Sequence, residues 1–145
     1  MNTLLISADV ADYSLLLDSS TPGQRLPSLQ ANTVDSIKLA SLALILSNHS
    51  LDDESVIAYM GKFQQINPDS ENGPWLEVVP DDLLQALLAT SPNQHSSIAE
   101  RLIQIEEAVM DRWELAPTTE FIQNLVRFAQ ENVQGSKKLV LLTSI

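Results

Sequence analysis

Four acidic residues recur at helical spacing in the second half of the chain. Counted from the first, they lie at offsets of 0, 7, 11 and 14, which places them along one face of a continuous α-helix. They are Glu100, Glu107, Asp111 and Glu114. That face carries no basic residue, and Glu107 and Asp111 repel each other mildly at i, i+4. We interpret the stripe as a docking surface for a basic protein partner. The alternatives are a weak divalent-cation site and a solvated helix face, which is the commoner use of such a charge run.

The short motifs of common enzyme classes are absent from the sequence. The chain has no cysteine and only four glycines, which excludes thiol nucleophiles and cysteine zinc sites. The glycines do not form a nucleophile elbow or a phosphate-binding loop. The two histidines, His49 and His95, lie in predicted polar loops, where a solvated histidine is the usual state. We therefore assign no catalytic residue, no metal ligand and no cofactor from the sequence.

Negative charge is concentrated in the middle of the chain. The protein has 19 acidic and 8 basic residues and a formal net charge of −11. Residues 51–120 hold 14 of the acidic and 3 of the basic residues, so this segment carries the whole imbalance. Sequence-independent binding to nucleic acid or anionic lipid depends on Lys and Arg, so we expect neither a nucleic acid nor a membrane as partner. A concentrated negative field would instead steer a basic protein.

Apolar spacing predicts six helices that would position these residues. The segment from Val34 to Leu46 is apolar around most of its circumference, which predicts a central, buried helix. The segment that starts at Ser97 and ends before Pro117 is predicted to be the longest helix and to carry the acidic stripe. The predicted helices lie near residues 9–18, 34–46, 50–61, 80–88, 97–116 and 118–134.

Three short apolar segments, Leu4–Ser7, Trp75–Val79 and Leu139–Thr143, have strand character. They predict a small sheet of two or three strands covered by five or six helices. The expected fold class is therefore α+β and predominantly helical, with an all-α fold as the alternative. The length of 145 residues favours one compact domain over residues 1–145. No signal-peptide pattern or spanning apolar run is visible, so a cytoplasmic location is expected.

These features predict a small acidic protein-interaction or regulatory domain that acts by binding a basic protein partner. The alternative is an enzyme built from dispersed carboxylates and a histidine such as His49, with no short motif. That alternative predicts a concave pocket in which a histidine meets carboxylates. A third hypothesis is a homo-oligomer, in which Leu139–Thr143 forms a sheet edge and pairs between copies.

Overall fold

The structure is a computed structural model and describes residues 2–18 and 26–145. Seven α-helices and five β-strands are present in this described part of the chain. The strands are β1 (Asn2–Ala8), β2 (Ser28–Gln30), β3 (Gln64–Gln65), β4 (Trp75–Val78) and β5 (Lys138–Ser144). The helices are α1 (Tyr13–Asp18), α2 (Ser36–Leu46), α3 (Asp53–Met60), α4 (Asp81–Leu88), α5 (His95–Leu102), α6 (Glu106–Met110) and α7 (Leu115–Asn132).

All five strands belong to one antiparallel sheet with the order β2-β1-β5-β4-β3. The longest pairing joins β1 to β5 over seven residue pairs, from Asn2↔Ser144 to Ala8↔Lys138. Because β5 also pairs with β4 on its other side, it is the central strand of the sheet. The hypothesis that β5 is an edge available to a second copy is therefore wrong.

The predicted sheet of two or three strands is also wrong, because the sheet has five. The fold is α+β, as expected, with 51% helix and 17% strand, and this excludes the all-α alternative. The missed strands, β2 and β3, are edge strands of three and two residues. Their side chains are mostly polar and exposed, so no alternating pattern marks them. Backbone pairing to β1 and β4 alone makes them strands.

Alternate residues of the central strands point into two separate apolar clusters. Leu139 and Leu141 of β5 join the larger cluster, where α2, α4, α5 and α7 cover the sheet. Val140 and Leu142 join the smaller cluster, which α1 covers on the opposite face. Helix α2 is central, as expected: eight of its eleven residues are buried. It packs against α3, α4, α5 and α6.

The predicted long helix from Ser97 to residue 116 does not form. Helix α5 ends at Leu102, and the short helix α6 closes in a Schellman turn around Arg112, whose φ is 59°. In that turn the backbone N–H of Trp113 donates to Ala108 O, and that of Arg112 donates to Val109 O. Pro117 was expected to end a helix. It occupies the third position of α7 instead, where a missing N–H costs nothing.

Candidate functional site

The structure distributes the four residues of the predicted acidic stripe over three helices. Glu100 lies on α5 and Glu107 on α6, whereas Asp111 and Glu114 cap α6 and α7. The expected single helix face is therefore wrong, because α5 ends at Leu102, before Glu107, and the Schellman turn separates Asp111 from Glu114. Glu100, Asp111 and Glu114 are exposed, and Glu107 is half-buried.

Asp111 has a basic partner that sequence spacing did not reveal. The Nζ atom of Lys38, from α2, donates to Asp111 Oδ2 and to the backbone oxygen of Thr33, and lies 3.6 Å from Asp35 Oδ2. It also lies 5.0 Å from the ring centroid of Trp113. The Lys38 side chain is only 1% exposed. A buried charge needs such partners, so Asp111 compensates the charge of Lys38.

The ion pair between Lys38 and Asp111 connects two loops that flank a cleft of about 260 Å³, here called the loop cleft. One loop connects β2 to α2 and the other connects α6 to α7. Trp113 Nε1 donates to Thr33 Oγ1 at 2.9 Å, and its ring packs edge-on against Phe121. Each loop has one non-glycine residue with positive φ, Thr33 at 65° and Arg112 at 59°. Glu114 of the predicted stripe lines this cleft.

A second concavity of about 330 Å³, here called the acidic pocket, lies between α3 and α6. Three carboxylates line it: Asp53 in the first turn of α3, and Glu106 and Glu107 in the first turn of α6. The remaining lining residues are Ser41, Leu51, Val56, Arg101, Gln104 and Ile105. The structure thus places Glu107 with two other acidic residues that the sequence spacing did not group with it.

Helix α6 also exposes large apolar side chains beside these carboxylates. Val109 is 61% exposed and Met110 is 74% exposed, and Leu115 at the start of α7 is 39% exposed. Ala108, fully buried, anchors the helix to the protein. The predicted helix over residues 97–116 does not account for this exposure, because the break after Met110 is not visible in apolar spacing. Exposed apolar residues bordered by charges are typical of interaction surfaces.

The two histidines have opposite environments. His49, just after α2, is exposed, whereas His95, the first residue of α5, is only 5% exposed. Both ring nitrogens of His95 lack a hydrogen-bond partner among the described residues, and burial lowers its pKa. The expectation of a solvated His95 is therefore wrong. Neither histidine lines the loop cleft or the acidic pocket.

The described residues contain neither a metal-binding cluster nor a membrane-spanning helix. Within residues 2–18 and 26–145, no group of three or more histidine or carboxylate side chains is arranged to hold a metal ion. Over the same residues, no helix has the length and apolar character needed to cross a bilayer. Comparison with known proteins finds no matching family model, curated protein or solved structure. Function must therefore be inferred from the chemistry of the chain itself.

Proposed function

We propose that this protein is a small acidic interaction domain that binds a basic protein partner. The binding surface consists of α6 and its two flanks: the acidic pocket on one side, and Glu114 and Leu115 on the other. The observation that supports it most directly is the pairing of exposed apolar residues with free carboxylates on one short helix. Val109 and Met110 supply apolar area, and Glu106 and Glu107 supply charge.

The charge of this surface selects the class of partner. Glu106, Glu107 and Glu114 form no ion pair with another described residue, in contrast to Asp111. Unpaired carboxylates attract a basic surface and accelerate its association, whereas they repel nucleic acid and anionic lipid. We propose that this interaction takes place in the cytoplasm, a reducing compartment with which the cysteine-free sequence is compatible.

Three contacts anchor this surface to the rest of the protein, which favours a pre-organised conformation. Ala108 is fully buried, the Schellman turn closes the end of α6, and Asp111 contacts the buried Lys38. A pre-organised surface loses less conformational entropy on binding, which favours affinity.

Retention of proteins from the native lysate tests the proposal. The immobilised wild-type protein should retain a basic protein at low salt and release it as salt rises from about 0.05 M to about 0.5 M. The double variant Glu106→Lys/Glu107→Lys should fail to retain it, and Met110→Ser should retain less of it. The matched control is Asp69→Lys/Glu71→Lys, which reverses two exposed carboxylates of the loop before β4.

Binding should then be measured with the identified partner in purified form. The control variant should bind as the wild type does, because its charge changes equally but away from α6. If the wild type and Glu106→Lys/Glu107→Lys retain the same proteins, or if the retained proteins are acidic, the proposal is refuted.

A further inference from the structure

We infer that the acidic pocket receives one lysine or arginine side chain of the partner, with its cationic head between Asp53 and the Glu106–Glu107 pair. This inference rests on the proposed function and names the contact that would give it specificity. The pocket volume of about 330 Å³ lies at the lower end of the range for ligand clefts, which suits a single long side chain.

The walls of the pocket match both parts of such a side chain. Leu51, Val56 and Ile105 are partly buried and pack against the main apolar cluster. They offer an apolar surface to the aliphatic stem of lysine or arginine, whose charged end prefers a polar environment. The carboxylates of Asp53 and Glu106 are exposed, so they meet the cationic head where it remains partly hydrated.

The pocket has a net negative charge, and its carboxylates are available to a cationic group. Asp53, Glu106 and Glu107 form no ion pair within the described residues. The pocket's one basic residue, Arg101, directs Nη1 towards the backbone oxygen of Ile45 at 3.5 Å. Three carboxylates against one guanidinium leave an excess of two negative charges. A cationic side chain requires less strict geometry than a metal ion, which these groups are not arranged to hold.

The hydroxyl of Ser41, a residue in the wall of the pocket, supplies a second, independent observation. Ser41 of α2 is 1% exposed and lines the pocket. No hydrogen bond joins its Oγ atom to any other described residue, whereas Ser47 Oγ and Thr90 Oγ1 each donate to the backbone oxygen four residues earlier. Polar groups at buried positions usually have partners. An ammonium or guanidinium group in the pocket would give Ser41 Oγ a donor.

Titration with synthetic amphipathic peptides tests this inference on the full chain. Three peptides share leucines at helical spacing and differ at the intervening positions, which hold lysine, arginine or citrulline, the neutral isostere of arginine. Calorimetry should show that the lysine and arginine peptides bind at least about fivefold more tightly than the citrulline peptide. Their binding should shift the backbone amide resonances of Ser41, Leu51 and Ile105.

Pocket variants should weaken this binding specifically. We expect a loss of about fivefold for Asp53→Asn and for Glu106→Gln, and of about threefold for Ser41→Ala. Glu71→Gln, on the loop before β4, is the matched control and should have no effect. The citrulline peptide should bind all of these variants equally, which separates a lost ionic contact from a misfolded protein.

Other results would distinguish failure of the pocket assignment from failure of the proposed function. If Met110→Ser weakens the lysine and arginine peptides but the pocket variants do not, the pocket assignment is refuted and the proposed function stands. If neither cationic peptide binds, the pocket assignment is refuted and the lysate experiment alone decides the proposed function. If light scattering shows a dimer that Glu106→Gln dissociates, the occupant is a second copy, which refutes the assignment to another protein.

Discussion

Replacing Asp111 by alanine should destabilise the protein more than replacing Lys38 by methionine, although each change removes the same ion pair. The reason is the unequal burial of the partners: the Lys38 side chain is 1% exposed and that of Asp111 is 41% exposed. Asp111→Ala leaves a buried ammonium without its carboxylate. Lys38→Met removes the buried charge and leaves a carboxylate that water can reach.

The magnitude follows from the contacts that remain. Loss of one partner of a fully buried ion pair costs about 3–5 kcal/mol. Here water partly replaces the carboxylate, and the ammonium keeps Thr33 O, Asp35 and the ring of Trp113. We therefore expect Asp111→Ala to lower the free energy of unfolding by about 2 kcal/mol. Lys38→Met supplies an apolar chain of similar length, so the expected loss is about 1 kcal/mol or less.

Urea unfolding, followed by circular dichroism and tryptophan fluorescence, measures both losses. The double variant Lys38→Met/Asp111→Ala should resemble Lys38→Met, because it contains no buried charge. Asp81→Ala is the control: it removes an exposed ion pair with Lys138 and should cost less than about 0.5 kcal/mol. Equal losses for the two single variants, or a double variant whose loss is their sum, would refute this reasoning.

Two further predictions concern His95 and Arg112. Burial lowers the pKa of His95. Below about pH 6.5, this side chain is therefore protonated more readily in the unfolded chain than in the folded protein. The free energy of unfolding should therefore fall between about pH 7.5 and about pH 5.5, by up to about 1.4 kcal/mol per pH unit. His95→Leu should remove this contribution and His49→Leu should retain it; identical pH profiles for His95→Leu and wild type would exclude it. Arg112→Gly should raise the free energy of unfolding by about 0.5–1 kcal/mol, and the urea midpoint with it, because glycine adopts a φ of 59° without a steric penalty. An unchanged or lower midpoint would show that the Arg112 side chain contributes more than its backbone strain costs.

The local apolar pattern was sufficient to predict the elements that contribute several residues to the core. The predicted strand Trp75–Val79 corresponds to β4, Leu139–Thr143 lies within β5, and the predicted helix over 80–88 is α4. In each case the apolar residues of the pattern include those that the structure buries, such as Leu76 and Val78 of β4 and Leu83 of α4. The edge strand β3 consists of Gln64 and Gln65 and becomes a strand only through its pairing with β4, which no local pattern reports.

The break between α5 and α7 shows a different limit. Apolar residues continue at helical spacing from Ile105 to Trp113, so their periodicity predicts one helix. Helix α6 instead ends at Met110, and Trp113 still packs against an apolar neighbour, Phe121, from the loop that follows. Periodicity records which residues are apolar but does not distinguish one continuous helix from short helices separated by loops.

The candidate binding surface depends on which acidic residues the fold neutralises. Sequence composition places the negative charge in residues 51–120. It does not show which of the 14 acidic residues in that segment are paired with a base and which are free. In the structure, lysines from outside this segment reach two of them: Lys38 pairs with Asp111, and Lys138 pairs with Asp81. Lys62, from within the segment, pairs with Asp82.

These ion pairs explain why the docking surface that we propose differs from the predicted stripe. The basic residues neutralise carboxylates at α4 and at the end of α6, and leave those at the start of α3 and α6 without a partner in the described chain. In the proposed surface, Asp53 and Glu106 therefore join Glu107 in place of Asp111. The lysines that make this selection lie 20 to 73 residues from their partners, so only the folded arrangement determines where the free charge remains.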